Sequence, residues 1–167
     1  MLGLSTLGIV HTLISLVALA AGAIALVRDG RITPSNTTGQ VYILFTVATC
    51  VTALGIFRHG SIGPPHVLAI LTFAVLLATW AARSSRVFGR ASRYVETLGL
   101  SATLLFHLIP AVTETSTRLP AGHPLVADAE APELKLVYLV LLAAYVALAV
   151  VQSLQLREEG DVVLARR

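Results

Sequence analysis

Five long apolar runs decide what this chain can become. They cover residues 2–27, 41–57, 65–82, 94–112 and 134–156. Each is near the ~20 residues a helix needs to cross ~30 Å of hydrocarbon, the second and third being at the short end. A backbone inside a bilayer has to satisfy its own N–H and C=O groups, which leaves helices and closed barrels. Barrel strands alternate in polarity over ~10 residues, whereas these runs are longer and continuously apolar. The expected fold is therefore all-α, an integral membrane bundle of five transmembrane helices. Only 13% of the residues are charged, against ~25% in a soluble domain, so the surplus apolar surface has to face lipid.

The first run has a small-x-small step at Ala18-Leu19-Ala20, the form of a signal-peptidase site. It lacks a basic leader and stays apolar well past a ~7–15-residue signal core, so it is read as a span. Residues 28–40 (RDGRITPSNTTGQ) read as a turn-forming linker with Gly30, Pro34 and Gly39 as breakers. Residues 58–65 (RHGSIGPP) make a tight connection. The segment 83–93 (RSSRVFGRASR) carries four arginines and no acid, the strongest charge signal in the chain. A long, mildly acidic loop follows the fourth span, and REEGDVVLARR closes the chain as a short helix or frayed end.

Basic residues near span ends mark the cytoplasmic side. Placing 83–93 inside also places Arg28, Arg31, Arg157, Arg166 and Arg167 there, and leaves Arg58, Arg118 and Lys135 outside. The expected topology is N-out/C-in. Residues 1–156 form a single transmembrane bundle domain and residues 157–167 a short charged cytoplasmic tail. The expected location is a cell membrane, of the bacterial inner or plasma membrane type. The sequence pI of about 9.5 comes from arginines flanking spans and not from one basic face, so no nucleic-acid partner is expected. The expected partners are the lipid bilayer and a second copy of the chain or a larger membrane complex.

All five histidines fall on the outer side or in the outer half of that arrangement. Ionisable groups inside spans are costly, face the bundle interior and are functional candidates by default. His11 shares its helix face with Ser15, Ala18 and Gly22, small residues that permit close helix approach. His107 shares a face with Thr103, Ala111 and Glu114. Pro110 cannot donate to the Phe106 carbonyl, which leaves an acceptor beside His107 and a kink. His11, His66, His107 and Glu114 are thus the candidate metal ligands. Imidazoles with a carboxylate suit zinc, iron or copper, and two facing imidazoles suit haem b. Against this, the histidines are single residues on separate helices, without HxxxH, HExxH or CxxC spacing, and they lie at unequal depths. The alternative roles are His107 bonded to the Phe106 carbonyl or to a hydroxyl, His11 as polar glue to a neighbouring helix, and His66 as an interfacial residue. His59 and His123 read as solvated. Glu114 pairs with Arg118 if the helix reaches that far, and Arg93 with Glu96. Trp80 and Tyr94 read as interface anchors, and Cys50 as a small packing residue.

His11 followed by small residues, Thr52-Ala53-Leu54, the segment GPPHVLAILTF (63–73) and AVTETSTRLP (111–120) together resemble a family of bacterial multi-pass membrane proteins of unknown function. The resemblance covers residues 8–120. It implies a membrane protein and directs interest to His11, His66 and Glu114, and it supplies no activity and no cofactor. Members carry a His-Arg pair after the first span, where this chain reads SNTTGQVY.

Three functions remain open. One is an accessory or structural membrane protein. A second is a haem- or metal-binding membrane redox protein built on the outer histidines. A third is a metal-dependent membrane hydrolase with Glu114 as base. A transporter is less supported, because no acidic residue lies in mid-membrane. A retinal protein lacks a suitable lysine, Lys135 being at a span end. No P-loop, dinucleotide fingerprint or nucleophile elbow is present.

Overall fold

The computed structural model describes residues 5–56 and 63–165, with side chains through Asp161. The described chain is five long helices, α1 (Thr6–Asp29), α2 (Thr37–Leu54), α3 (Pro64–Ser85), α4 (Ser92–Arg118) and α5 (Pro132–Ala165), with one 3₁₀ turn at Gly89–Ala91. All five are long and apolar enough to span a membrane. Their ends follow ordinary capping chemistry. The Ser5 hydroxyl accepts from Gly8 N at 3.1 Å, and the Asn36 side chain accepts from Gly39 N at 2.8 Å. Pro64 occupies the first turn of α3, where its missing N–H costs nothing.

The polarity of the bundle is inverted relative to a soluble protein. Its buried positions are dominated by small and hydroxyl residues, among them Ala18, Ala21, Ala25, Thr46, Thr72, Thr79, Ser101 and Thr103. Its exposed positions include Leu13, Leu16, Leu44, Leu77 and Val146. Small residues let backbones approach, and hydroxyls bond across helices or back to their own turn, while branched apolar side chains face outward. An added Cβ at Gly22 would lie 2.8 Å from Leu104, and one at Gly99 would lie 2.5 Å from Thr79. These two positions show how closely α4 meets α1 and α3.

α4 is the hub: α3 and α5 pack along it and α1 touches it, while α1 also packs on α2 and α2 on α3. Helices consecutive in the chain run antiparallel, as α4 and α5 show where rising numbers meet falling ones in Arg93–Glu159, Ser101–Gln152 and Thr113–Tyr138. The α4–α5 contact has a sequence cause. Tyr138, Tyr145, Gln152 and Glu159 recur every seventh residue, the spacing that keeps one seam against an antiparallel neighbour. Each places a polar atom on α4: Tyr138 on Thr113 at 2.6 Å, Tyr145 on the Leu98 carbonyl at 3.3 Å, Gln152 on Ser101 at 3.0 Å and Glu159 on Arg93 at 2.6 Å.

Several boundaries move. Gly39, read as a linker breaker, lies in the first turn of α2. α4 continues past Pro110 to Arg118, so Glu114, expected in the following loop, is helical and does pair with Arg118. The expected Arg93–Glu96 pair does not form. Glu96 binds Arg83 at 2.9 Å, and Arg93 binds Glu159, because α3 and α5 flank the entrance of α4 and bring closer partners. α5 runs on as helix through the charged segment after Leu156.

Candidate functional site

The intramembrane polar chemistry collects along one face of α2, where Tyr42, Thr46, Thr49 and Ala53 are buried at offsets of four, seven and eleven. His11 of α1 reaches this face near the C-terminal end of α2. Thr52 donates its hydroxyl proton to its own helix, at the Ala48 carbonyl (2.9 Å) or the Thr49 carbonyl (3.0 Å). Its oxygen lies 2.9 Å from His11 Nδ1, and the His11 ring also reaches the Thr49 backbone. With the Thr52 proton kept on its own helix, a neutral His11 carries its proton on Nδ1 and donates it to Thr52. Ser15, one turn along α1, bonds the His11 carbonyl at 2.8 Å and lies 3.4 Å from the Thr49 hydroxyl.

His107 reaches the same face from α4, and its partners fix the opposite tautomer. Thr103 donates to the Leu100 carbonyl at 2.7 Å. The Tyr42 hydroxyl, 2.7 Å from Thr103 Oγ1, must then be the donor of that pair. Its longer contact to the Leu100 carbonyl, 3.5 Å, draws the proton the same way. Tyr42 also meets the Thr46 side chain, with only oxygen lone pairs left to offer. Thr46 therefore donates to Tyr42 and accepts from His107 Nε2 at 3.1 Å. One directed chain results, from His107 Nε2–H through Thr46, Tyr42 and Thr103 to a backbone carbonyl. The His107 ring stands edge-on to Tyr42, with centroids 6.2 Å apart and planes at 69°.

The four candidate ligands are distributed as follows. His11 and His107 share the α2 seam and lie within electrostatic reach of each other. Their anchoring hydroxyls, Thr52 and Thr46, are six residues apart, ~9 Å along the helix. His66 is buried at the start of α3, where its Nδ1 accepts from the Gly63 N–H at 3.2 Å, so it caps the helix from the third position. Glu114 lies two turns beyond His107 and is held by Arg118. Among the described residues, no three His, Cys, Asp or Glu side chains gather as a metal site needs. His123 is exposed in the loop after α4, and His59 lies outside the described residues. Cys50 packs with Ala53 and Ala69, and its thiol meets Thr72.

A second polar assembly closes the arginine-rich end. Glu159 bridges Arg31 at 2.9 Å and Arg93 at 2.6 Å. Arg83 joins Glu96 to Ser35, at 2.9 and 3.2 Å. The Gln152 amide donates to the Gly30 carbonyl at 2.9 Å and accepts from Ser101 at 3.0 Å. These contacts tie α5 both to α4 and to the α1–α2 connection. Sequence reasoning missed this clasp and the threonines of the seam. The signals were there, as a seven-residue polar repeat in α5 and as Tyr42, Thr46 and Thr49 on one face of α2.

The class this fold defines is a small multi-pass helical membrane bundle. Searches of family models, curated proteins and solved structures find no match to the chain.

Proposed function

We propose that the chain is a structural or accessory protein of a cell membrane, oriented N-out/C-in, whose intramembrane histidines join helices and do not hold a cofactor. The observation that carries this reading is that each imidazole on the α2 seam spends one nitrogen on a threonine hydroxyl of α2. Such bonds between membrane helices contribute about 0.6 kcal/mol each, up to ~1.7. The small-residue faces that pack the bundle supply the same kind of surface to a second copy or a larger complex.

One observation favours a second reading, a haem- or metal-binding redox protein. His11 Nε2 and His107 Nδ1 are not the nitrogens that bond the threonine hydroxyls, and the two rings lie within electrostatic reach of each other. Two nitrogens are half the usual four-ligand set of a structural zinc site. The axial offset of their anchors also opposes a pair of imidazoles facing each other across a haem. A hydrolase is less supported still, because the Glu114 carboxylate is engaged by Arg118.

The test is a visible spectrum and elemental analysis of detergent-purified protein from cells supplied with haem and metals, alongside His11→Ala and His107→Ala. The structural reading expects colourless protein and variants that lose about 1 kcal/mol of stability. A Soret band, or about one metal per chain that both variants lose, overturns it.

A further inference from the structure

The loop joining α3 to α4 presents two arginines that the bundle does not use. Of the arginines at this end, Arg28 is held by Asp29, Arg31 and Arg93 by Glu159, and Arg83 by Glu96. Arg86 and Arg90 are exposed, and neither has a hydrogen bond or ion pair from its side chain to any described residue. The backbone holds them outward. Arg86 ends α3 at φ 49, Gly89 follows at φ 55, and the turn is closed by Gly89 N to the Arg86 carbonyl at 2.7 Å and by Ala91 N to the Phe88 carbonyl at 3.1 Å. Between the two arginines lie Val87, 64% exposed, and Phe88, 44% exposed, with Trp80 67% exposed just over one turn before the end of α3.

Cations alternating with bare apolar side chains, at the level where two spans end, match a leaflet edge: phosphates beside hydrocarbon. A soluble polyanion would satisfy the guanidiniums and leave Val87 and Phe88 in water. We propose that the 86–90 loop is a binding site for the phosphate headgroups of anionic lipids, with Arg86 and Arg90 on the phosphates and Val87 and Phe88 among the upper acyl carbons. Guanidiniums suit this role through their planar fork of N–H donors.

Trp80 is the only tryptophan and lies six residues, ~9 Å of helix rise, before Arg86, so it reports on lipid at this loop. The full chain is reconstituted in phosphatidylcholine bilayers doped with bromoacyl phosphatidylglycerol or bromoacyl phosphatidylcholine, and Trp80 quenching is compared. The anionic lipid is expected to quench preferentially, with the preference weakening as salt rises. Each arginine contributes about a fivefold preference, so Arg86→Asn with Arg90→Gln should lower it by about 25-fold, with helicity unchanged. Asparagine is chosen at 86 because it tolerates positive φ. Arg157→Gln, an exposed arginine elsewhere at this end, should leave the preference nearly intact. Equal quenching by the two lipids overturns the proposal. So does equal loss in Arg157→Gln, which would mean a diffuse field, or abolition of the preference by millimolar inorganic phosphate, which would mean a site for free anions.

Discussion

Gly39→Ala should destabilise this protein even though it improves the intrinsic helix propensity of α2. A Cβ on Gly39 would stand 1.8 Å from the Thr33 carbonyl oxygen, 2.7 Å from its carbon and 3.1 Å from its nitrogen. To reach 3.0 Å, a separation that Cβ contacts hardly go below, the loop backbone has to retreat by about 1.2 Å. It is pinned on both sides. Ile32 is 1% exposed in the core, Asn36 bonds Asp29 at 2.9 Å, and the same Asn36 side chain caps Gly39 N. Overpacking of this kind costs about 1–3 kcal/mol, and loss of the cap adds ~1. Alanine returns about 1 kcal/mol of helix propensity, so the net loss should be about 1–3 kcal/mol. Gly160→Ala provides the contrast. Nothing lies within 4 Å of its added Cβ, so the propensity gain should appear alone, as stabilisation of up to ~1 kcal/mol. Equilibrium unfolding by sodium dodecyl sulfate in mixed micelles, read by circular dichroism, measures both. If Gly39→Ala proves as stable as Gly160→Ala, the close approach of the 33–36 turn to α2 is refuted.

Other outcomes follow from the same contacts. Gln152→Leu removes two interhelical bonds from a side chain 1% exposed and should cost about 1–3 kcal/mol in the same assay; a neutral result would remove the clasp between α5 and the α1–α2 connection. Glu159→Gln leaves Arg31 and Arg93 without their shared carboxylate. Because these groups are part-exposed, the loss should be only about 0.5–1 kcal/mol and should shrink in high salt; a salt-independent loss would contradict the assignment. Tyr42→Phe breaks the chain between Thr46 and Thr103 while keeping the ring against His107. It should cost about 1 kcal/mol, and a double-mutant cycle with Thr103→Val should show that the two losses are not additive.

The five helices were legible because a span is a matter of length and continuous apolarity, which a single sequence displays directly. Their ends were less so. α4 extends to Arg118 because its last turns, although polar, are tied back to the helix, by Thr113 and Thr117 hydroxyls and by the Glu114–Arg118 pair, and a hydropathy criterion stops where polarity begins. The inward face of α1 was readable from the His11, Ser15, Ala18 and Gly22 spacing, and Ala18 and Gly22 are indeed buried. The partners of the histidines were not readable, because a threonine inside a span equally bonds its own helix, and which does both depends on the neighbouring helix. Thr52 does both, and Thr72 and Thr79 also turn their hydroxyls to their own backbone. The ion pairs at the arginine-rich end depended on α3, α4 and α5 meeting there, a long-range fact that local spacing could not supply.

With Thr52 and Thr46 bonded as described, His11 and His107 are helix-joining donors with opposite tautomers. Solid-state NMR of ¹⁵N-histidine-labelled protein in bilayers, with the two residues assigned by single substitution, tests it most directly. The expected spectrum shows a protonated Nδ1 on His11 and a protonated Nε2 on His107, each correlated with a threonine of α2. The same tautomer on both rings, or a metal-shifted nitrogen on either, would contradict it.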